Sequence, residues 1–360
     1  MTAVPVAPTR VLVVALRRLG DVLLTTPLIR SIRRAWPNAR IDVLVFSDTT
    51  AILAGNPDVD RVLAMPARPT AQESLMLAAR LARRYDIAVS TQGGDRPTFF
   101  AVLAGRVSVG PAGSARAIDR IKRALLTRPV SVGEGLHRVE ETLRLADALG
   151  VARVGEVVCP ARPVRDDLIP DTAYAMIHPT PMFRYKRWTV DGWRTLIREL
   201  ADRNLKVLVT GGPAAVERAY LDELLAAAPA VARVDGALTW HEISALLAQA
   251  QVFVGPDTSV THLAAAAGAP TVALYGPTDP RLWGPWPKDG LAQPWQAAAH
   301  VQQRGNVWLV QNPLPCLPCQ SEGCDLHRES RSRCLDELLP SSVMPAVDQA
   351  LAFRRAAGRV

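Results

Sequence analysis

The stretch VLVVALRRLGDVLLTTP (Val11–Pro27) runs from an apolar strand through a polar turn into a helical pattern that reaches about Trp36 and is closed by Pro37. An apolar run without polar alternation that turns straight into a helix opens a βαβ unit, whose parallel sheet is covered on both faces. IDVLVF (41–46), RVLAM (61–65), IAVS (87–90) and RVSVG (106–110) repeat the strand pattern, with the helical ESLMLAARLARRY (73–85) between two of them. After ARPVRDDLIPD (161–171), a Pro-punctuated stretch suited to a linker, the rhythm restarts. YAMIHP (174–179), KVLVTG (206–211), VFVG (252–255) and TVALYG (271–276) read as strands, alternating with helical patterns over 190–203, 214–228, 240–250 and 259–268. The expected fold class is α/β, two Rossmann-like doubly wound domains facing a cleft. Residues 1–165 are expected to form the first domain, 166–340 the second, and 341–360 a terminal helix packing across them. A chain of 360 residues is long enough to prefer two cores over one.

Its 49% hydrophobic and 21% charged residues are those of a soluble globular protein. VLVVAL, flanked by Arg10, Arg17 and Arg18, is far too short for a membrane span or a signal-peptide core. That points to the cytoplasm and to reduced thiols. Residues 1–165 hold 24 Lys and Arg against 14 Asp and Glu, a net +10, whereas residues 166–360 hold 18 against 20, a net −2. A positive field of that kind attracts nucleic acid, an anionic membrane face or a phosphorylated substrate. An Arg-rich solvated surface accounts for the number equally well. Nucleic acid loses support because the basic residues lack an interleaved aromatic platform.

Open α/β sheets bind ligands beyond the carboxyl ends of their strands, so two facing sheets would set two strand-to-helix turns across one cleft. In the second turn, GPDTSVTHLAAAAGAP (Gly255–Pro270), Asp257 is placed to cap the helix, leaving the N–H groups of Ser259, Val260 and Thr261 free for an anion. Thr258 and Thr261 add hydroxyls, and His262 projects from the face of Thr258. An ordinary capped helix with a packed His262 explains the same residues. In the first turn, Gly20 allows a tight bend and Asp21 presents a carboxylate at the start of a helix near Val22, as a cap or as a base able to reach a hydroxyl. A third element, HPTPMFRYKRW (His178–Trp188), offers Thr180, Arg184, Lys186 and Arg187. Lysine occurs only at 122, 186, 206 and 288, against thirty-eight arginines, and a compact ammonium in such a loop suits a phosphate.

No G-x-G-x-x-G follows a strand and no G-x-x-x-x-G-K-[ST] occurs, which removes most support for a dinucleotide dehydrogenase or a P-loop NTPase. The cleft turns carry no acidic cluster suited to Mg²⁺. A transferase that handles a pyrophosphate without metal fits better, its leaving-group charge carried by backbone N–H groups and Lys186.

The segments RLGDVLLTTPLIRSI, PNARIDVLV, NPDVDRVL, Lys186-Arg-Trp188 and GPDTSVTHLAAAAGAPTVALYGPTDP cover both halves of the chain. In them the chain resembles the ADP-heptose:lipopolysaccharide heptosyltransferases of glycosyltransferase family 9, enzymes with the GT-B fold. VLVFSDTTAILAGNPD, HPTPMFRYKRW and RLWGPWP look most like the heptosyltransferase III branch. The resemblance implies an inverting, metal-independent transfer of heptose from ADP-heptose to the inner core of lipopolysaccharide. It makes Asp21 the general base and places the diphosphate on Lys186, Asp257, Thr258, Ser259 and His262. Thr180 and Glu217 become nucleotide contacts, Glu217 through ribose hydroxyls, although a surface ion pair explains Glu217 as well. The family often has glycine where this chain has Ser259, whose backbone N–H can still serve. Gly20, with Asp95 and Arg96 of GGDRPTFF (93–100), would meet a phosphorylated lipid A-core acceptor.

In SARAIDRIKRALLTR (114–128), Arg116, Arg120 and Arg123 share one helical face, with Ile118, Ile121 and Leu125 elsewhere. Such a helix suits the cytoplasmic face of the inner membrane, where the protein would sit peripherally, and a solvated surface helix explains it equally well. Cys316, Cys319, Cys324 and Cys334 follow C-x2-C-x4-C-x9-C, candidate ligands for a structural zinc or, less readily, an iron–sulfur site, with a metal-free loop as the alternative. Two rival functions stay open: the same fold using another nucleotide sugar or acceptor, and a non-catalytic protein that binds anionic glycolipid.

Overall fold

Six strands of the front half pair into one parallel sheet: β1 (Arg10–Ala15), β2 (Arg40–Phe46), β3 (Arg61–Met65), β4 (Tyr85–Ser90), β5 (Gly105–Pro111) and β6 (Arg128–Val130), in the order β3-β2-β1-β4-β5-β6. Val13 lies between Val43 and Val89 in register, and Val11–Val14 are fully buried, as a sheet covered on both faces demands. The computed structural model describes residues 3–113, 117–131, 133, 135–165, 167–226 and 231–357, and the chain divides into units Met1–Pro160 and Ala161–Val360.

The single helix expected from Val22 to Trp36 is two helices, Leu19–Leu23 and Thr26–Ala35. Pro27 is the reason. It lacks the N–H that would donate to Leu23, so the helical ladder stops and restarts, and Thr26 Oγ1 donates to Leu23 O instead at 2.7 Å.

The second unit holds β7 (Tyr174–Ile177), β8 (Lys206–Val209), β9 (Ala232–Arg233), β10 (Val252–Pro256), β11 (Thr271–Leu274), β12 (Val301–Arg304) and β13 (Val307–Val310). Their order is β12-β13-β11-β10-β7-β8-β9, parallel except for the β12–β13 hairpin. Its core gathers Ile177, Val254, Trp188, Trp193 and Trp308. Trp188 and Trp193 pack edge-to-face at 5.2 Å, and only a glycine fits beside them, since a Cβ on Gly192 would lie 2.5 Å from the Trp188 ring. The terminal helix Pro340–Ala357 buries Val343, Ala346, Val347 and Ala350 in this same core. Among the described residues no helix is long and apolar enough to cross a membrane.

In each unit the chain winds outward in one direction, returns past its first strand and winds the other way. The reversal falls between β1 and β4 in the first sheet and between β7 and β10 in the second. Loops diverge at such a point and leave a crevice at the carboxyl ends of the strands.

Candidate functional site

The loops that leave β7 and β10 meet through one ion pair. Lys186 Nζ donates to Asp257 Oδ2 at 2.5 Å, and Thr278 Oγ1 donates to the same oxygen at 2.7 Å. Near the other oxygen, the Tyr275 hydroxyl, which donates to Trp283 O at 2.7 Å, lies 3.5 Å away and His262 Nε2 3.9 Å away. Burial alone would raise the Asp257 carboxyl, but the Lys186 ammonium, His262 and the hydrogen bonds from Lys186 and Thr278 outweigh it and hold the group below the usual carboxylate range. Burial, with the Asp257 charge beside it, pushes the Tyr275 phenol far above its ordinary value, so it stays a neutral donor. Lys186 is placed by fastenings on either side: Ser332 Oγ donates to Tyr185 O at 2.6 Å, and the Trp188 indole donates to Leu338 O at 2.7 Å. An ammonium has three donors, and one of them is spent on Asp257.

The helix Ser259–Ala267 is capped one residue later than expected. Thr258 is its N-cap, with Oγ1 accepting from Thr261 N at 3.3 Å, while Asp257 is turned to Lys186. Thr261 N–H is therefore taken, and Ser259 and Val260 are left to present first-turn N–H groups. Thr261 Oγ1 points inward, donating to Pro256 O. His262 is packed in the interior at 6% exposure.

Thr180, just beyond β7, is 3% exposed, and its hydroxyl has no hydrogen-bond partner among the described residues. Such a group costs about 1–3 kcal/mol unless something meets it. Thr180→Val is expected to leave unfolding stability unchanged or slightly raised, measurable by urea unfolding. Glu217 forms no ion pair among the described residues; its Oε2 accepts from Gly212 N at 2.5 Å and so shapes the loop after β8. A Cβ on Gly212 would collide with that oxygen and push the Glu217 carboxylate aside.

His178, the first residue past β7, is buried, with Nδ1 3.0 Å from Thr210 Oγ1. Burial pushes its pKa down to about 4. An unfolded histidine titrates near 6.5, so at intermediate pH the unfolded chain binds a proton that the folded chain does not. This contribution is complete above pH of about 6.5 and is lost as pH falls toward 4. Urea unfolding is expected to show the wild type losing about 2–3 kcal/mol more than His178→Asn between pH 7 and 4.5.

In the first unit, Asp21 lies inside the helix Leu19–Leu23 and caps nothing; Arg18 occupies the N-cap position. Gly20 is buried in the same helix and makes no left-handed bend, so the chain turns at Arg17-Arg18 instead. The Asp21 carboxylate accepts from Arg17 Nε at 3.0 Å and lies 4.0 Å from Arg138 Nε. Arg138 is 3% exposed, pairs with Glu141 at 2.9 Å and donates to Thr91 O, at the end of β4, at 2.8 Å. It thus ties the two strands at the reversal together behind Asp21. Nothing local in the sequence links residues 21 and 138, and Arg138, Tyr275 and Thr278 were not anticipated.

Asp95 and Arg96 open the helix Asp95–Ala104 and are exposed. Asp95 pairs with Lys122 Nζ at 2.7 Å, and Arg96 donates to Ala67 O at 3.1 Å. Lys122 belongs to the helix Ala117–Leu125, which is turned over relative to a basic face on an apolar underside. Its buried residues are Asp119 and Lys122, while Ile118, Ile121 and Leu125 are 42%, 54% and 57% exposed. The Lys122–Asp95 pair and the bond from Lys122 to Gly93 O hold the polar side inward. Arg120 is exposed, Arg123 donates to Ala112 O at 3.3 Å, and Arg116 lies outside the described residues.

None of the five cysteines is in a disulfide; Cys316, Cys319 and Cys324 are exposed and Cys334 is buried. Burial, then the three neighbouring thiols, pushes the Cys334 thiol up to about 12. Among the described residues no three His, Cys, Asp or Glu side chains gather into a metal-holding group, so the four sulfurs as placed do not form one.

The family model for Glycosyltransferase family 9 (heptosyltransferase) matches residues 75–307. Lipopolysaccharide heptosyltransferase 3 of Escherichia coli is 30% identical over 77% of this chain and 86% of its own length. Among solved structures, a glycosyltransferase family 9 protein of Veillonella parvula has a TM-score of 0.75 at 17% identity, over 97% of this chain and 99% of that one. The E. coli heptosyltransferase WaaC with ADP has a TM-score of 0.71 at 23% identity, over 95% and 99%. These likenesses confirm the fold class, two Rossmann-like units of the GT-B type. The chain belongs to glycosyltransferase family 9, the heptosyltransferases.

Proposed function

We propose that this enzyme transfers heptose from ADP-heptose to the inner core of lipopolysaccharide in one inverting displacement that needs no catalytic metal. The observation that carries the donor half is the Lys186–Asp257 pair at the β7–β10 reversal, beside the first-turn N–H groups of Ser259 and Val260 and the unmet hydroxyl of Thr180. Asp257 orients the ammonium and leaves two of its protons for diphosphate oxygens. Glu217, through its second oxygen, is assigned to the ribose, and His262 and Thr258 support the turn. The relatives' names supply the sugar and the acceptor class, and the ADP complex of WaaC agrees with the nucleotide.

In the acceptor half, Asp21 takes the proton of the attacking hydroxyl as its oxygen bonds to the anomeric carbon. The bond from that carbon to the diphosphate oxygen breaks, and ADP leaves with the electron pair. Gly20 gives the acceptor room, and Asp95 and Arg96 contact the phosphorylated lipid A-core. The reading requires the two units to bring Asp21 and the anomeric carbon together. A panel of nucleotide sugars, scored by thermal shift and by product formed on a heptose-acceptor core, tests it. ADP-heptose is expected to stand apart, and faster turnover of a UDP- or GDP-sugar would favour the rival donor.

The enzyme is assigned to the cytoplasmic surface of the inner membrane, held by the helix Ala117–Leu125. Its exposed Ile118, Ile121 and Leu125 would enter the interface while Arg120 meets anionic headgroups. Ile121→Asp with Leu125→Asp is expected to lower co-sedimentation with anionic vesicles at least tenfold without shifting the unfolding midpoint; unchanged sedimentation would remove the helix from the membrane contact. A structural zinc on Cys316, Cys319, Cys324 and Cys334 would require the four sulfurs to converge from where they stand. Metal analysis of protein purified without added metal decides it: about one zinc per chain supports the site, and none ends it.

A further inference from the structure

A cavity of about 350 Å³ opens at the other end of the first sheet, where β1, β3 and β4 begin. Arg10, Arg61, Arg80 and Arg84 line it, with Tyr85 and Asp42 among its walls. Of the other arginines in this unit, Arg17, Arg30, Arg33, Arg40, Arg138 and Arg153 face a carboxylate, and Arg83, Arg96, Arg123 and Arg128 donate to backbone carbonyls. The four cavity arginines have no carboxylate partner among the described residues. Arg10 lays its guanidinium over the Tyr85 ring at 5.5 Å, and its Nε is buried without a hydrogen bond. Asp42 does not compensate them. It is 1% exposed, with Oδ2 accepting from the Tyr85 hydroxyl at 2.7 Å and Oδ1 from Arg40 Nε at 3.0 Å.

Arg61, Arg80 and Arg84 bring exposed guanidinium groups to the cavity rim, and the buried Arg10 Nε lacks an acceptor; a multiply charged anion would meet all four. Guanidinium forks match phosphate oxygens in pairs, and a cavity at the small end of the ligand-site range admits a compact ligand rather than a polymer. We infer that this cavity is a binding site for a phosphate-bearing anion, a phosphomonoester or diphosphate, separate from the strand-end site. Arg10 starts β1 and Asp21 follows its end; a six-residue strand is roughly 20 Å long, so an anion here does not touch the reacting groups. The ligand is either soluble or a lipid headgroup, since both present the same phosphate.

Isothermal titration with inorganic pyrophosphate tests the site in the full chain. Lys186→Ala is included so that binding at the proposed donor site is subtracted. Wild type and Lys186→Ala are both expected to bind in a salt-sensitive way, and Arg61→Gln/Arg84→Gln, made on exposed side chains, to lose the Lys186-independent binding at least tenfold with an unchanged unfolding midpoint. Equal binding by Arg61→Gln/Arg84→Gln and wild type in the Lys186→Ala background, or none in either, overturns the inference, whatever the donor proves to be. Co-sedimentation with phosphatidic acid vesicles against phosphatidylcholine vesicles then assigns the source: sedimentation lowered by Arg61→Gln/Arg84→Gln identifies a lipid headgroup, and sedimentation unchanged while pyrophosphate binding is lost identifies a soluble anion.

Discussion

Asp21→Asn is expected to lower the turnover number by about 10²–10⁴-fold, the range for losing a positioned general base, while KM for ADP-heptose and the affinity for ADP stay near wild type. The local geometry makes the variant informative. Asparagine keeps an oxygen for Arg17 Nε, now 3.0 Å from the carboxylate, and the buried Arg138 retains Glu141 at 2.9 Å. The fold therefore has little reason to fail. What disappears is the anionic oxygen that accepts the proton, a loss felt in the transition state and not in the ground state. Undiminished turnover would refute the assignment of the base. Arg138→Met separates chemistry from support: it leaves Glu141 without its partner and Thr91 O without its donor, and is expected to destabilise the first unit by about 3 kcal/mol as well as slowing transfer.

Asp257→Leu is expected to produce the largest loss of stability, about 3–5 kcal/mol, because it leaves the partly buried Lys186 ammonium unpaired and strips the Thr278 hydroxyl of its acceptor. Nucleotide binding should fall with it. If Asp257 acts on ADP only by aiming Lys186, then Asp257→Asn combined with Lys186→Met binds ADP no more weakly than Lys186→Met alone, a coupling that calorimetry measures. The pH dependence has a definite sign. The folded carboxyl lies below its unfolded value, so its contribution is present above pH of about 4 and is lost as pH falls through the folded value. Asp257→Asn should lack that acid limb, which lies below the window in which His178 titrates.

The apolar strands that form the centre of each sheet were legible because parallel strands buried on both faces read as unbroken β-branched runs. β6, β9 and the β12–β13 hairpin were not. Arg128–Val130 and Ala232–Arg233 are too short to carry a pattern, and β12 is an edge strand, VQQR, half of it polar. The Gly305-Asn306 turn between two short runs was the available hairpin signal. Helical spacing in 117–125 correctly separates apolar from basic residues but cannot say which face turns inward. Lys122 decides that by reaching Asp95 and Gly93 O, partners almost thirty residues away. Asp257 was placed at the right strand end with the wrong local duty: Thr258 caps the helix, and the charge partner of Asp257 comes from position 186. Local chemistry thus marked the turns, whereas the pairs that orient Lys186 and Asp21 depend on elements that only the folded sheets bring together.

In the function proposed above, the second unit grips the diphosphate at the β7–β10 reversal. A crystal structure of the protein with ADP tests it most directly. Phosphate oxygens are expected within hydrogen-bond reach of Lys186 Nζ and the Ser259 and Val260 N–H groups, with a nucleotide oxygen on Thr180 Oγ1. ADP bound elsewhere, with Lys186 still committed to Asp257 and facing no phosphate, would contradict it.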